Sequence, residues 1–196
     1  MDLLAEGVES ALMACSLIVL APGVATALAA RRAAVPALVA FSMAVLGSSW
    51  LRFSDRGGGL QPVLIAVILA AAVAVLLLPR SSRREIAGVG GGLLAGVGAA
   101  ELWRPCVGFE FGQVLNGLPD RGIPGVALLA VYLLGVLSPL LALGAVHHLV
   151  PERHRELAEP WLAGVGAAAL GALALATAFG LHDDLVGKLF EWSVES

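Results

Sequence analysis

Six apolar runs, each about as long as a helix needs to cross a lipid bilayer, leave this chain few ways to fold. Hydrocarbon roughly 30 Å thick is spanned by about 20 residues at about 1.5 Å per residue. Runs of that kind cover 8–30, 33–51, 60–79, 86–108, 123–150 and 161–181. Composition agrees, because 59% of the 196 residues are hydrophobic, only 14% are charged, and the mean hydropathy is +0.90. Water-soluble domains do not have such a balance. The sequence therefore predicts an all-α polytopic membrane protein, one integral domain whose first partner is the lipid bilayer. Asp2, Glu6 and Glu9 stand ahead of or within the start of the first run and no basic segment does, so that run is expected to stay as a span and not to be removed as a signal peptide. A net charge of -3, with no basic patch interleaved with aromatics, gives no footprint for nucleic acid.

Prolines punctuate the runs. Pro22, followed by Gly23, removes a backbone donor midway along the first, and Ser138 and Pro139 do the same in the fifth, so both helices are expected to kink or break there. The second run closes at Trp50, and 52–59 reads as a turn. The third, 60–79, is apolar on every face, with Pro62 at its start where proline is tolerated. The fourth opens with Gly88, Gly92, Gly96 and Ala100 at four-residue spacing, a stripe along one face that lets another backbone come close. It then meets Glu101, Arg104 and Pro105, where a break and a second half-helix through Glu110, Gln113 and Asn116 are expected. The residues 151–160 read as a solvated connection. After Gly180, Leu181, Leu185, Leu189 and Trp192 alternate with Asp183, Asp184, Lys188 and Glu191, the pattern of an amphipathic helix at the interface.

Positive residues belong on the cytoplasmic side. Arg31, Arg32, Arg80, Arg83, Arg84, Arg153 and Arg155 fall on one side of a six-span path, and Arg52, Arg56, Arg121 and Lys188 on the other, which puts both termini outside. Division after Arg84 gives three spans per half, with a proline in the first span of each. An odd number of spans makes the halves inverted repeats, 1–84 and 85–180, with 181–196 as an interfacial tail. Folds of this kind hold their working site near the midplane, where the broken helices meet.

The run Trp103, Arg104, Pro105, Cys106, Val107, Gly108, set at the fourth of six spans, resembles the Trp-x-Pro-Cys-x-Gly signature of the cytochrome c biogenesis CcdA and DsbD family. The layout covers most of the chain, whereas the specific motif covers about eight residues. The resemblance implies a thiol-disulfide oxidoreductase of the bacterial inner membrane. In that role it would carry reducing equivalents from cytoplasmic thioredoxin, through a pair of membrane cysteines, to an extracytoplasmic thioredoxin-like acceptor, with no cofactor. In that family the first span carries a Pro-Cys as well; here Gly23 follows Pro22, and Cys15 is the other cysteine in the chain. Eight residues of continuous helix separate Cys15 from Gly23 by about 12 Å, while a disulfide joins Cα atoms within about 7 Å.

Read from the residues, Cys106 has Arg104 two positions away, a positive neighbour of the kind that activates a thiol, or else it packs as a small hydrophobe. Cys15 has only apolar neighbours, among which a packing role weighs more. Glu101, Arg104 and Glu110 are ionisable groups at membrane depth, which pair or line a pathway. Glu101 and Arg104, three apart, suit an ion pair within one helix, or a proton or anion path beside the thiol. His147, His148 and His154 read as an interfacial cluster and not as a metal site. Two further readings stand beside the thiol carrier: a small secondary transporter or ion or solute exporter on the same fold, with the three charges along its path, and an assembly factor that packs through the Gly88, Gly92, Gly96 face.

Overall fold

The computed structural model describes residues 3–11, 16–30, 33–53, 60–77, 84–103, 123–149, 152–181, 184 and 187–188, and among them there is no strand. Among the described residues the helices are, in order, α1 Leu3–Ala11, α2 Leu17–Ala30, α3 Ala34–Phe53, α4 Pro62–Leu76, α5 Arg84–Leu102, α6 Ile123–Leu149 and α7 Glu152–Ala178, and 181, 184 and 187–188 are helical as well. The fold class is all-α, as the apolar runs require. Each of the six runs contains an apolar helix. Two stretches, Ala34–Arg52 and Pro124–Ala142, are long and apolar enough to cross a membrane; Val19–Ala30, Pro62–Leu76, Ile86–Leu102 and Ala163–Ala178 are apolar but shorter.

Three expectations about helix limits change. The first run holds two helices, α1 and α2. The second of these, α2, continues through Pro22. The helix α6 likewise continues through Pro139. Its hydrogen-bond ladder explains how: Pro139 has no N–H to give the Gly135 carbonyl four residues back, and Ser138 Oγ donates to that carbonyl at 2.7 Å instead. Lastly, 152–160, expected as a loop, forms the first turns of α7, and Arg52, expected in a turn, closes α3.

Small residues decide which helices meet. A side chain at Gly92 would strike the carbonyl oxygen of Ala37. At Gly96 it would lie 2.5 Å from the Phe41 carbonyl oxygen, and at Gly88 2.6 Å from Ala33 Cβ, so α5 lies parallel to α3 with the two backbones in contact. The stripe read from the sequence is the most extensive helix contact in the fold. The helix α4 runs antiparallel to α5, with Leu76 over Gly91 and Leu69 over Gly98. Gly166 of α7 is seated on the Ala25 carbonyl of α2, and Gly7 of α1 meets Tyr132 and Gly135 of α6 backbone to backbone. The helix α2 reaches α6 about two turns further on, where Gly23 faces Leu140.

The residues enclosed by these contacts are mostly small, with Phe41, Leu69, Trp103, Leu129, Tyr132 and Leu140 as the largest fully buried side chains. Ser10, Ser16, Thr26, Ser49 and Thr177 are buried as well. Large apolar groups face outward, among them Trp161 at 80% exposure, Ile86 at 70% and Met43 at 62%. Helix α7 is closed by Gly180, whose φ of +72° is one a residue without a Cβ adopts freely and whose N–H returns to the Thr177 carbonyl at 3.2 Å.

Candidate functional site

The C-terminal end of α5 gathers the charged and aromatic groups of the interior. Pro105 disfavours helical geometry in the residue before it, and α5 duly stops at Leu102, with Trp103 N–H still bonded to the Ala99 carbonyl at 2.9 Å. A helix that stops leaves its last carbonyls without intrahelical donors. Arg52 supplies them: its Nη1 donates to the carbonyls of Ala100, Glu101 and Trp103 at 3.0, 3.0 and 2.9 Å. The guanidinium also places a positive charge at the negative end of the helix dipole. It reaches that end because α3 runs alongside α5 in register, Ala33 by Gly88 and Phe41 by Gly96, so that the end of α3 arrives beside the end of α5.

Glu101 serves the neighbouring helix. Its Oε2 accepts the Leu60 N–H at 3.1 Å, at the entry to α4, where Gln61 is the N-cap and Pro62 opens the helix. A carboxylate there faces the positive end of the α4 dipole. Trp103 is fully buried, and its ring stacks on Tyr132 of α6 with centroids 6.5 Å apart and planes at 24°. The Tyr132 hydroxyl donates to Ser10 Oγ at 2.8 Å, and Ser16 Oγ donates to the Ser10 carbonyl at 2.6 Å. A column therefore runs from Ser16 and Ser10 through Tyr132 to Trp103, and the end of α5 is held by an arginine and by an aromatic stack.

Of the residues singled out from the sequence, Glu101 belongs to this frame, whereas Pro22 and Gly23 lie within α2 and Pro139 within α6. Arg104, Pro105, Cys106 and Glu110, with Gln113, Asn116 and Cys15, lie outside the described residues. Glu101 is engaged with Leu60 across 41 residues, a role that local spacing does not suggest. At Gly23, a Cβ would run into the Leu140 side chain and come within 3.2 Å of Phe41 Cε1, so the position that holds a cysteine in the resembled family is filled here by neighbours. The two proline-bearing helices touch where Gly23 faces Leu140. Among the described residues no group of three His, Cys, Asp or Glu could hold a metal ion.

Sequence reasoning missed Arg52, Ser10, Ser16 and Tyr132. Tyr132 had a signal, being the one tyrosine in the chain and set in the middle of an apolar run. Its hydroxyl needed a buried partner. Compared with protein-family models, with curated proteins and with solved structures, the chain matches none.

Proposed function

We propose that this protein is a six-span membrane carrier built from two inverted three-helix repeats, and that it moves reducing equivalents across the bilayer with Cys106 as its exchanging thiol. The observation that carries this reading is the end of α5. The run Trp103, Arg104, Pro105, Cys106, Val107, Gly108 departs from a helix terminus fixed by three Arg52 bonds and by a fully buried tryptophan. A thiol that must meet two partners in turn gains from such a fixed base.

The helix packing supports the repeat. With α1 and α2 counted as span one, the pairing of span two with span four is mirrored by span five with span one, and that of three with four by six with one. Spans three and six, one and four, and two and five meet across the axis between the halves. Large apolar groups outside and Ala, Gly, Ser and Thr inside suit a lipid surround, where close helix approach takes the place of the hydrophobic effect. Both termini lie on the extracytoplasmic side of the inner membrane in this reading.

The chemistry is a dithiol-disulfide exchange in two stages. Reduced cytoplasmic thioredoxin gives two electrons and two protons to a disulfide between Cys106 and Cys15 and leaves oxidised. The resulting dithiol then reduces an extracytoplasmic acceptor disulfide and closes again. In vesicles that hold the full chain, with thioredoxin on the cytoplasmic side, Cys106→Ser abolishes acceptor reduction. Full reduction by that variant would end the proposal. A gel-shifting maleimide, applied with and without reduced thioredoxin, reads whether Cys15 is the partner thiol.

The transporter reading has less support, because Glu101, one of its three pathway charges, is occupied at the entry to α4. Glu101→Gln keeps a carbonyl oxygen for the Leu60 N–H and is expected to leave stability within about 1 kcal/mol. Proton-coupled solute uptake that this variant lost, but that variants without either cysteine kept, would favour the transporter.

A further inference from the structure

Helix α1 meets α6 backbone to backbone, and the contact sets its depth. A side chain at Gly7 would strike the Tyr132 carbonyl oxygen, and one at Gly135 would lie 2.5 Å from the Leu4 carbonyl oxygen. Gly135 is 12 residues after Ile123 and 14 before Leu149, the two ends of α6, which is about 18 Å and about 21 Å along the helix. The apolar stretch Pro124–Ala142, long enough to cross a membrane, encloses both contacts. Glu9 stands two residues beyond Gly7, about 3 Å along the axis of α1, and so lies well inside the span. It is exposed, together with Leu4, Ala5 and Val8, whereas Gly7, Ser10 and Ala11 are buried. Among the described side chains of α1 to α7 the other charged groups, Glu6, Arg52 and Glu101, are partly buried.

Lipid tails do not cover an exposed carboxylate at this depth; charged groups there meet an opposite charge or line a water-filled path. We propose that the outward face of α1 is a docking surface for a membrane-spanning helix of another protein, one that carries a lysine or arginine at the level of Glu9. Charge complementarity selects that partner. The nine residues of α1 hold Glu6 and Glu9 and no basic residue. Glu6 is turned partly into the contact with α6, where one carboxylate oxygen is enclosed and the group acts electrostatically on the Tyr132 hydroxyl. Glu9 is left to face outward. Leu4 with Val8, and Ala5 with Glu9, form two rows at four-residue spacing, and a neighbouring helix seats its side chains between such rows. A second copy of this chain docked symmetrically through α1 would bring Glu9 toward Glu9, like charge against like. The seat is firm, because the bond from the Tyr132 hydroxyl to Ser10 Oγ and the contact of Gly7 with Gly135 both hold α1 to α6.

The inference draws on the membrane reading and on neither cysteine, so acceptor reduction by Cys106→Ser would end the carrier and leave this proposal as it stands. The test places full-length protein in lipid vesicles with a synthetic partner, a leucine-alanine helix long enough to span the bilayer, with a single lysine at its centre or a glutamine in the same place. Binding is read by energy transfer from the protein's tryptophans to a dansyl group on the peptide. The lysine peptide is expected to bind about tenfold more tightly than the glutamine peptide, the low end for a close charge pair away from water. Glu9→Gln, a change at an exposed position that the fold carries without repacking, should remove the difference. Asp184→Asn, exposed beyond the end of α7, should leave it. Dicyclohexylcarbodiimide, which enters lipid, then joins the lysine amine to a carboxyl in contact with it as an amide, taking up the water lost as its own urea, and peptide mass spectrometry is expected to find the bond at Glu9. Equal binding of the two peptides by the wild type would overturn the proposal. So would modification of Glu9 by a water-soluble carbodiimide and glycine ethyl ester as fast as that of Asp184, which would show a face open to water, or a dimer of this chain that Glu9→Gln dissociates, which would make the occupant a second copy.

Discussion

If backbone contact between α3 and α5 is what sets their parallel packing, then adding one carbon at Gly96 should separate two helices. A Cβ there would lie 2.5 Å from the Phe41 carbonyl oxygen and 2.8 Å from Ala44 Cβ, against the 3.4 Å at which ordinary contact begins. The shortfall is about 0.9 Å, and the obstruction is main chain, which cannot rotate away as a side-chain end could. Gly92 is tighter still, facing the Ala37 carbonyl oxygen. Overpacking of this kind costs about 1 to 3 kcal/mol, and Gly92→Ala and Gly96→Ala together should exceed either alone, since both push on the same helix pair. The controls lie in the same protein: at Gly47 of α3 and Gly171 of α7 an added Cβ meets nothing within 4 Å. Alanine there should be neutral or gain up to about 1 kcal/mol from helix propensity. The assay is unfolding in mixed micelles with increasing SDS, followed by far-UV circular dichroism. Gly96→Ala as stable as Gly47→Ala would refute the claim that close approach positions α5, and with it the account of how Arg52 reaches its carbonyls.

Two further outcomes follow from the hydrogen bonds. Arg52→Gln, which removes the charge and shortens the reach to three carbonyls, should cost about 2 kcal/mol in the same unfolding assay and raise the emission wavelength of Trp103 in a variant whose other tryptophans are phenylalanine; an unshifted spectrum with unchanged stability would show that the α5 end is held by something else. Ser138→Ala should cost about 1 kcal/mol because the Gly135 carbonyl then has no donor from either Ser138 or Pro139. In a Pro139→Ala background, where the helix ladder is restored, the same change should cost close to nothing, and equal costs in the two backgrounds would contradict the assigned role.

What could be read in the chain and what could not divide by the distance over which each signal acts. The Gly88, Gly92, Gly96 stripe repeats every four residues on one helix, and such a stripe announces a close neighbour before the neighbour is known. The all-helical class and the position of the apolar helices follow from hydropathy in the same local way. At Pro22 and Pro139 a missing donor predicts a kink or a break; both helices continue past the proline, and the carbonyl freed by Pro139 is met by the hydroxyl one residue earlier. The polar stretch 152–160 was read as a loop from its charges alone, although Glu, Arg, Leu and Ala are good helix formers. Arg52 looked like a turn residue since its partners are 48, 49 and 51 positions away. Ser10 and Tyr132 are separated by 122 positions, beyond any periodicity.

The placement of the few charges in this apolar protein has a common logic. Arg52 answers carbonyls at the end of α5, and Glu101 answers an N–H at the entry to α4; both charges meet backbone groups at helix ends. In water such ends are solvated, but in hydrocarbon every backbone group must find a partner within the protein. A helix that stops short of the bilayer surface needs its own donors there. At Ile86–Leu102 the apolar part of α5 is shorter than a full span, so its end is expected inside the protein, where the bonds from Arg52 make termination tolerable. Loss of those bonds should then weigh more heavily in a bilayer than in a detergent that admits water to the same carbonyls. Measured in both settings, Arg52→Gln should destabilise the nanodisc-embedded protein more than the micellar one. An equal effect in the two would place the end of α5 at the water interface and remove the argument that it ends inside the protein.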